Sequence, residues 1–201
     1  MKLVIVDRDG TLNYRRESHI QTPEQWEPIP GALDAVARLN QAGYHVVIAA
    51  NLSGLGRGLY DMDALNAVHA RMHRALAQAG GRIEAVFFCP HAPDEECDCR
   101  QPKPGLFEQI GVRYKVDLKQ VHAVGGSARN LQAAAAAGCV PHLVLTGDVT
   151  GLPAGQPLPP GFPPGVRVHA DLAAFVSAFL AEEESAAALA APGQPPAAVG
   201  A

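Results

Sequence analysis

The sequence predicts a doubly wound α/β protein, a single parallel sheet with helices on both faces and no large cap. Three observations predict it. Short apolar, β-branched runs such as LVIV at residues 3–6 and VVIAA at 46–50 read as buried strands. Segments of helical periodicity alternate with those runs, and such alternation closes a parallel sheet through crossover helices. At 201 residues the chain can build one good core and at most one small extra element.

Lys2 to Val6 is the first strand, followed by a polar loop to Pro30. Gly31 to Ala42 carries Leu33, Val36, Ala37 and Leu39 on one helical face, and Gly43 ends it. Tyr44 to Ala50 is the second strand. Asp61 to Ala79 is the best helix, with Leu65, Val68, Met72 and Leu76 in period and Gly80-Gly81 as the stop. Further strands fall at Ile83 to Phe88, Val121 to Val124 and His142 to Leu145. Helices from Pro104 to Tyr114 and Leu131 to Ala137 lie between them. The stretch 151–165 is too rich in Pro and Gly for regular structure and reads as a surface loop. Val166 to Val168 gives a last short strand, and Ala170 to about Glu183 a last helix. One domain over 1–182 and a low-complexity, disordered tail over 183–201 are expected.

Composition narrows the function. A net charge of −4 leaves no electrostatic footprint for nucleic acid or an anionic membrane. No apolar run approaches the ~18–20 residues that span a bilayer, and no secretory signal is evident. A cytoplasmic monomer is expected. Four cysteines are too few for a disulfide scaffold, and three of them sit together, which favours metal.

Asp7 and Asp9 carry the chemistry. They follow the first strand at i and i+2, so both carboxylates point the same way off its end, and Gly10 then lets the chain turn tightly. A nucleophilic carboxylate beside a second one, at the carboxyl edge of an open sheet, suits phosphoryl transfer through an aspartyl-phosphate with a divalent cation. Residues 89–100 read CPHAPDEECDCR. Cys89, His91, Cys97 and Cys99 form a full tetrahedral set for zinc, with no position left open, so the site is structural. Cys139 follows an Ala-rich helix and reads as a small buried apolar residue.

With DRDGTLN, NLSGLGRG, CPH…CDCR and VGGSARNLQAAAAAG in order, the chain resembles the haloacid dehalogenase superfamily over roughly residues 1–147. Within it, the chain looks like the D-glycero-D-manno-heptose 1,7-bisphosphate 7-phosphatases and the related histidinol-phosphate phosphatases. The resemblance implies a magnesium-dependent phosphatase acting on a phosphorylated sugar, the heptose bisphosphate of the lipopolysaccharide-core precursor route. It implies Asp7 as nucleophile and Asp9 as general acid and later base. Magnesium would be held by Asp7 and the backbone carbonyl of Asp9. Asn51, Ser53 and Arg100 would contact substrate.

Five positions depart from the family pattern. Ala50 stands where the family has Thr, and Leu52 replaces a Gln beside it. Gln101 replaces the Lys that neutralises the nucleophile and the phosphoryl group. Gly126 replaces the metal-binding Asp, and Asn130 replaces a second Asp four residues on. Phosphoryl transfer relies on positioning and electrostatics, and removing one stabilising group costs on the order of 10²–10³ in rate. Strongly weakened activity and a weakened magnesium site are therefore expected. A second reading is a non-catalytic descendant that binds a phosphorylated ligand or partner, and a third is a histidinol-phosphate-type phosphatase. Lys103 and Asp148 are the candidates for compensation, against the fixed geometry of Pro102 for the first and a solvated turn residue for the second. Gly126 reads as a position of positive φ, where an Asp would be tolerated only modestly. Arg15, Arg16 and His19 fall in the loop where the family binds its sugar, Arg57 lies after strand two, and Trp26 reads as a packing anchor. His69 and His73 read as surface histidines.

Overall fold

The computed structural model describes residues 1–153 and 156–190. Strands Leu3–Val6 (β1), His45–Asn51 (β2), Ala85–Cys89 (β3), His122–Gly125 (β4), Val140–Val144 (β5) and Arg167–His169 (β6) form one sheet. Their order is β3-β2-β1-β4-β5-β6 and every neighbouring pair is parallel. That is the doubly wound, Rossmann-like order, whose direction reverses between β1 and β4.

Helices Ala32–Gln41 (α1), Met62–Gln78 (α2) and Leu172–Ala190 (α5) cover one face, where Val36, Met72 and Phe175 meet Val4, Val6, Val46 and Ile48. Helices Gly105–Tyr114 (α3) and Ala128–Ala136 (α4) cover the other, where Phe107, Ile110 and Ala133 meet Leu3, Ile5 and Val47. Both faces of β1 are buried, which is why it reads as an unbroken apolar run. Trp26 is buried in the first core, as expected of an anchor.

Two elements differ from the sequence reading in ways that matter. α4 begins at Ala128 rather than Leu131, because the Ser127 hydroxyl accepts from the Asn130 N–H and caps it. The earlier start carries Ser127 and Arg129 to the carboxyl edge of the sheet. α5 runs to Ala190, past the Glu183 end expected. Residues 154–155 of the Pro/Gly-rich loop and 191–201 of the expected tail lie outside the described residues.

Three histidines from adjacent strands form a ladder beneath α5. His122 Nδ1 lies 2.8 Å from His142 Nε2, and His142 Nδ1 lies 3.1 Å from His169 Nε2. Phe179 and Phe175 pack on the rings of His122 and His142 at 4.6 and 4.7 Å between centroids. Burial, and then the neighbouring imidazoles, push His142 down to about 3, and burial lowers His122 and His169 as well. A histidine held neutral in the fold but free to charge in the unfolded chain stabilises fully above about pH 6.5 and progressively less below it. Unfolding free energy from urea titrations should therefore fall between pH 6.5 and 5, by up to about 1.4 kcal/mol per pH unit for a histidine such as His142. His142→Gln should flatten that slope, and an unchanged slope would show that the ladder does not couple stability to protons.

Candidate active site

The sheet order reverses between β1 and β4, leaving a crevice beyond their carboxyl ends. Asp7 leaves β1 there, with its N–H donating to the Val124 carbonyl at 2.9 Å. The crevice opens into a cavity of about 700 Å³. Asp7, Asp9, Ala50, Asn51, Ser53, Arg100 and Gln101 all line it, so the structure brings the sequence-predicted phosphoryl-site residues together. Asp148 and five arginines, Arg15, Arg16, Arg57, Arg100 and Arg129, share the wall with His19.

The two carboxylates have opposite electrostatics. Asp7 is 8% exposed. Its Oδ1 accepts the Arg8 N–H at 2.8 Å, while its second oxygen accepts no hydrogen bond among the described residues. Burial, then the charge of Asp9, pushes its pKa up to about 7, with Asp148 adding to the rise. Burial acts in the same sense on Asp9, but the Arg8 guanidinium outweighs it and holds that carboxyl below its usual range. Arg8 grips both Asp9 oxygens at 2.9 Å, and Asn13 Nδ2 donates to one of them at 2.9 Å. Arg8 itself is 1% exposed, and its Nη1 donates to His69 Nε2 at 3.3 Å. His69 is therefore not the surface histidine expected. It is half-buried behind Arg8, and burial followed by the Arg8 charge lowers it to about 4, keeping Nε2 an acceptor. His73 is exposed, as expected.

At the substituted positions, neutral amides hold the backbone. Gln101 Nε2 donates to the Ala49 carbonyl at 3.1 Å, and Asn130 Nδ2 donates to that same oxygen at 3.3 Å. Both side chains are buried. Two positions that the family pattern fills with Lys and Asp thus share one acceptor and carry no charge. Asn51 exchanges two hydrogen bonds of 3.1 Å with the Gln101 backbone. That fixes the end of β2 against the loop after the Cys/His cluster and leaves Asn51 one amide hydrogen toward the cavity.

Of the two residues placed to compensate, Lys103 points elsewhere. Its ammonium donates to the Cys97 carbonyl at 2.6 Å and to Asp98 at 3.3 Å. Asp148 does line the cavity, where Arg15 donates to it. Gly126 is not in the left-handed region. The obstacle to a side chain there is contact, since a Cβ would lie 2.4 Å from the Gly10 oxygen and 2.9 Å from Gly147 Cα.

Cys89, His91, Cys97 and Cys99 place their ligand atoms within 4.8 Å of one another. Cys89 Sγ lies 3.8 Å from Cys97 Sγ and 3.5 Å from His91 Nδ1, and Cys99 Sγ lies 3.3 Å from that nitrogen. A tetrahedron with metal–sulfur bonds of about 2.3 Å has S···S edges of about 3.8 Å and S···N edges of about 3.6 Å. The cluster fits a tetrahedral ion. Arg100 Nη1 donates to the His91 carbonyl at 3.1 Å, so the cluster also holds Arg100 at the cavity wall. Cys139 is buried and apart from it.

Arg8, Arg129 and Ser127 escaped the sequence reading. The one available signal was the Ser127-x-x-Asn130 spacing, a cap that starts α4 early and so delivers Arg129.

No family model matches the chain. It is 52% identical over 182 residues to the D-glycero-beta-D-manno-heptose-1,7-bisphosphate 7-phosphatase of Bordetella bronchiseptica, covering 90% of this chain and 99% of that one. To the Pseudomonas aeruginosa protein of the same name it is 47% identical over 179 residues, covering 89% and 97%. Among solved structures, the B. bronchiseptica D,D-heptose 1,7-bisphosphate phosphatase complexed with magnesium and phosphate superposes with a TM-score of 0.83 at 52% identity. That match covers 90% of this chain and 99% of the other. The Burkholderia thailandensis D,D-heptose 1,7-bisphosphate phosphatase gives 0.69 at 47% identity, covering 90% and 99%.

The shared Ala49 acceptor makes Gln101 and Asn130 one energetic unit. Gln101→Lys or Asn130→Asp alone places an uncompensated charge in a buried site and should cost about 3–5 kcal/mol of stability. The double variant should recover most of that, with a coupling energy of about 1–3 kcal/mol in a urea-denaturation cycle. Additive single effects would show that the two side chains are independent.

Proposed function

The chain belongs to the D-glycero-beta-D-manno-heptose-1,7-bisphosphate 7-phosphatase family, and on that premise we propose that it hydrolyses the 7-phosphate of such a heptose bisphosphate through an aspartyl-phosphate on Asp7. The observation that carries the reading is the Asp7 carboxylate. It is nine-tenths buried, has one oxygen without a hydrogen bond among the described residues, and faces a cavity ringed by five arginines.

Asp7 attacks phosphorus with that oxygen, and the sugar oxygen leaves with a proton from Asp9. Arg8 holds Asp9 in its charged form, which suits the second half of the cycle, when Asp9 takes a proton from the hydrolytic water. For the first half, the incoming phosphate charge must raise the Asp9 pKa before it can donate. Ser53, the remaining Asn51 hydrogen and the N-terminus of α4 face the transferring group, and a helix start favours negative charge there. Arg100, held by the Cys/His loop, and the Arg15, Arg16, Arg57 and His19 side chains give the second phosphate its charge partners.

The Asp7 oxygen and the Asp9 carbonyl are hard oxygen donors, which fit magnesium. Magnesium, when bound, neutralises the phosphoryl oxygens and favours the ionised Asp7 that attack requires. The cysteine and histidine donors fit zinc instead, as a structural ion that rigidifies the loop carrying Arg100 and Gln101. We place the enzyme in the cytoplasm as a monomer. Among the described residues no helix is long and apolar enough to cross a membrane.

Turnover lies below that of an intact relative, because Ala50 offers no hydroxyl, Gln101 no charge and Gly126 no carboxylate, and Lys103 is bound to the metal loop. The same neutral ring supports a second reading, a protein that keeps the ligand and has lost the chemistry. One assay separates them. Phosphate release from the heptose bisphosphate with magnesium should fall below the roughly 1–10³ per second usual for enzymes, and Asp7→Asn should abolish it. Binding without any release would favour the second reading, and ordinary turnover would end the claim of weakening.

Elemental analysis should find one zinc per chain. Cys97→Ala should lose it, lower the thermal midpoint and weaken ligand binding together. A metal-free preparation that keeps the wild-type midpoint would refute the structural role.

A further inference from the structure

The loop after β5 closes onto the very spot where the family pattern calls for a carboxylate at position 126. A Cβ on Gly126 would meet Gly147 Cα at 2.9 Å, and a Cβ on Gly147 would meet the Gly126 oxygen at 2.2 Å. Backbone therefore fills the space of the missing side chain from both directions. The contact is fastened at each end: Thr146 Oγ1 donates to the Gly10 carbonyl at 2.9 Å, and the Asp148 N–H donates to the Gly126 carbonyl at 2.7 Å. The next side chain along this loop is a carboxylate that lines the same cavity as Asp7.

Two observations point to a cation between them. Asp7 is nine-tenths buried, and one of its oxygens faces the cavity without a hydrogen-bond partner. A second carboxylate lines the same cavity, where like charges are costly unless something positive intervenes. Arg15 answers only part of this. It donates to Asp148 Oδ1, while the other Asp148 oxygen accepts no hydrogen bond among the described residues. Asp9 cannot serve with its side chain, since Arg8 and Asn13 occupy it.

We propose that Asp148, carried by the loop after β5 across Gly126, is the second side-chain ligand of the divalent cation that Asp7 binds. The inference rests on the phosphatase reading of the Asp7 site and deepens it. In place of a carboxylate on β4, the chain supplies one from the neighbouring connection. The Gly10, Gly126 and Gly147 backbones approach closely enough to deliver it. Asp7, Asp148 and the Asp9 carbonyl leave the remaining octahedral positions to water and phosphate, which suits an ion that keeps several waters.

The test measures cation binding without turnover. Manganese(II), visible by electron paramagnetic resonance, is titrated into the zinc-loaded full chain and into Asp7→Asn, Asp148→Asn and Glu17→Gln. Zinc content and thermal midpoint verify folding. Asp148→Asn should weaken manganese affinity at least tenfold, as should Asp7→Asn. Glu17→Gln, which removes a charge at the cavity wall with no ligand role, should leave it within twofold. Asp148→Glu should recover part of the loss, and Asp148→Ser substitutes if the Asn variant misfolds. Wild-type affinity in Asp148→Asn, with binding lost in Asp7→Asn, would overturn the inference and leave the Asp7 reading standing. Equal affinity in wild type and Asp7→Asn, or no binding to the wild type at millimolar manganese, would overturn both.

Discussion

The site depends on how the buried negative charge of Asp7 is compensated. The fold imposes that burial. β1 is the central strand of a sheet covered on both faces, so the residue that leaves it emerges between two helical layers. A carboxylate there gains its charge only with positive help, which is why Asp7 sits near 7 without it. Arg8, the nearest cation, is already committed to Asp9 and His69. Asp7 is thus left for a group that arrives from solution, and a permanent protein cation in that place would remove the need for one.

The remaining architecture holds the neighbourhood still while that charge is exchanged. The Cys/His cluster grows from the end of β3 and fixes the chain up to Arg100. At the next residue the chain is clamped again, by Asn51 on the Gln101 backbone and by Gln101 on the Ala49 carbonyl. β2, the loop after the Cys/His cluster and α4 therefore meet at a single carbonyl oxygen. An ion held by that cluster, outside the cavity, would in this way control the position of side chains inside it, with no contact to substrate.

Much of this was legible in the sequence. The alternation and the apolar runs specify the sheet, with strand ends shifted by one or two residues where edge residues such as Asn51 and Cys89 continue the ladder without an apolar side chain. The metal loop is readable because its four ligands lie within eleven residues and need no tertiary information. Contacts between distant segments were not legible. The histidine ladder requires the register of β4, β5 and β6, and nothing local to His122, His142 or His169 announces it. The descent of residues 146–148 onto Gly126 needs the same knowledge. Gly126 looked like a deletion of function in the one-dimensional pattern, and in three dimensions it is one half of a backbone contact. His69 reads as a surface histidine because no acidic partner stands at matching spacing, whereas the guanidinium it meets comes from a segment 61 residues away.

Set against the Lys and Asp that the family resemblance implies at 101 and 130, the paired amides have an energetic logic that single substitutions lack. Removing one member of a buried, charged pair strands the other at a cost of about 3–5 kcal/mol, a large share of the 5–15 kcal/mol that holds a typical domain together. Replacing both by amides strands nothing, because Gln101 and Asn130 each keep a donor for the Ala49 carbonyl and the local net charge stays the same. Stability therefore tolerates the change, and only the field at the phosphoryl group is altered. That field loses a cation beside the nucleophile and an anion behind it. The effect on charge is smaller than the loss of a lysine alone would suggest, since the two contributions oppose each other at the phosphorus. The larger burden falls on the cation that Asp7 binds. That cation would add positive charge at the transferring group, so the geometry of its ligands would bear on what chemistry the cavity can perform.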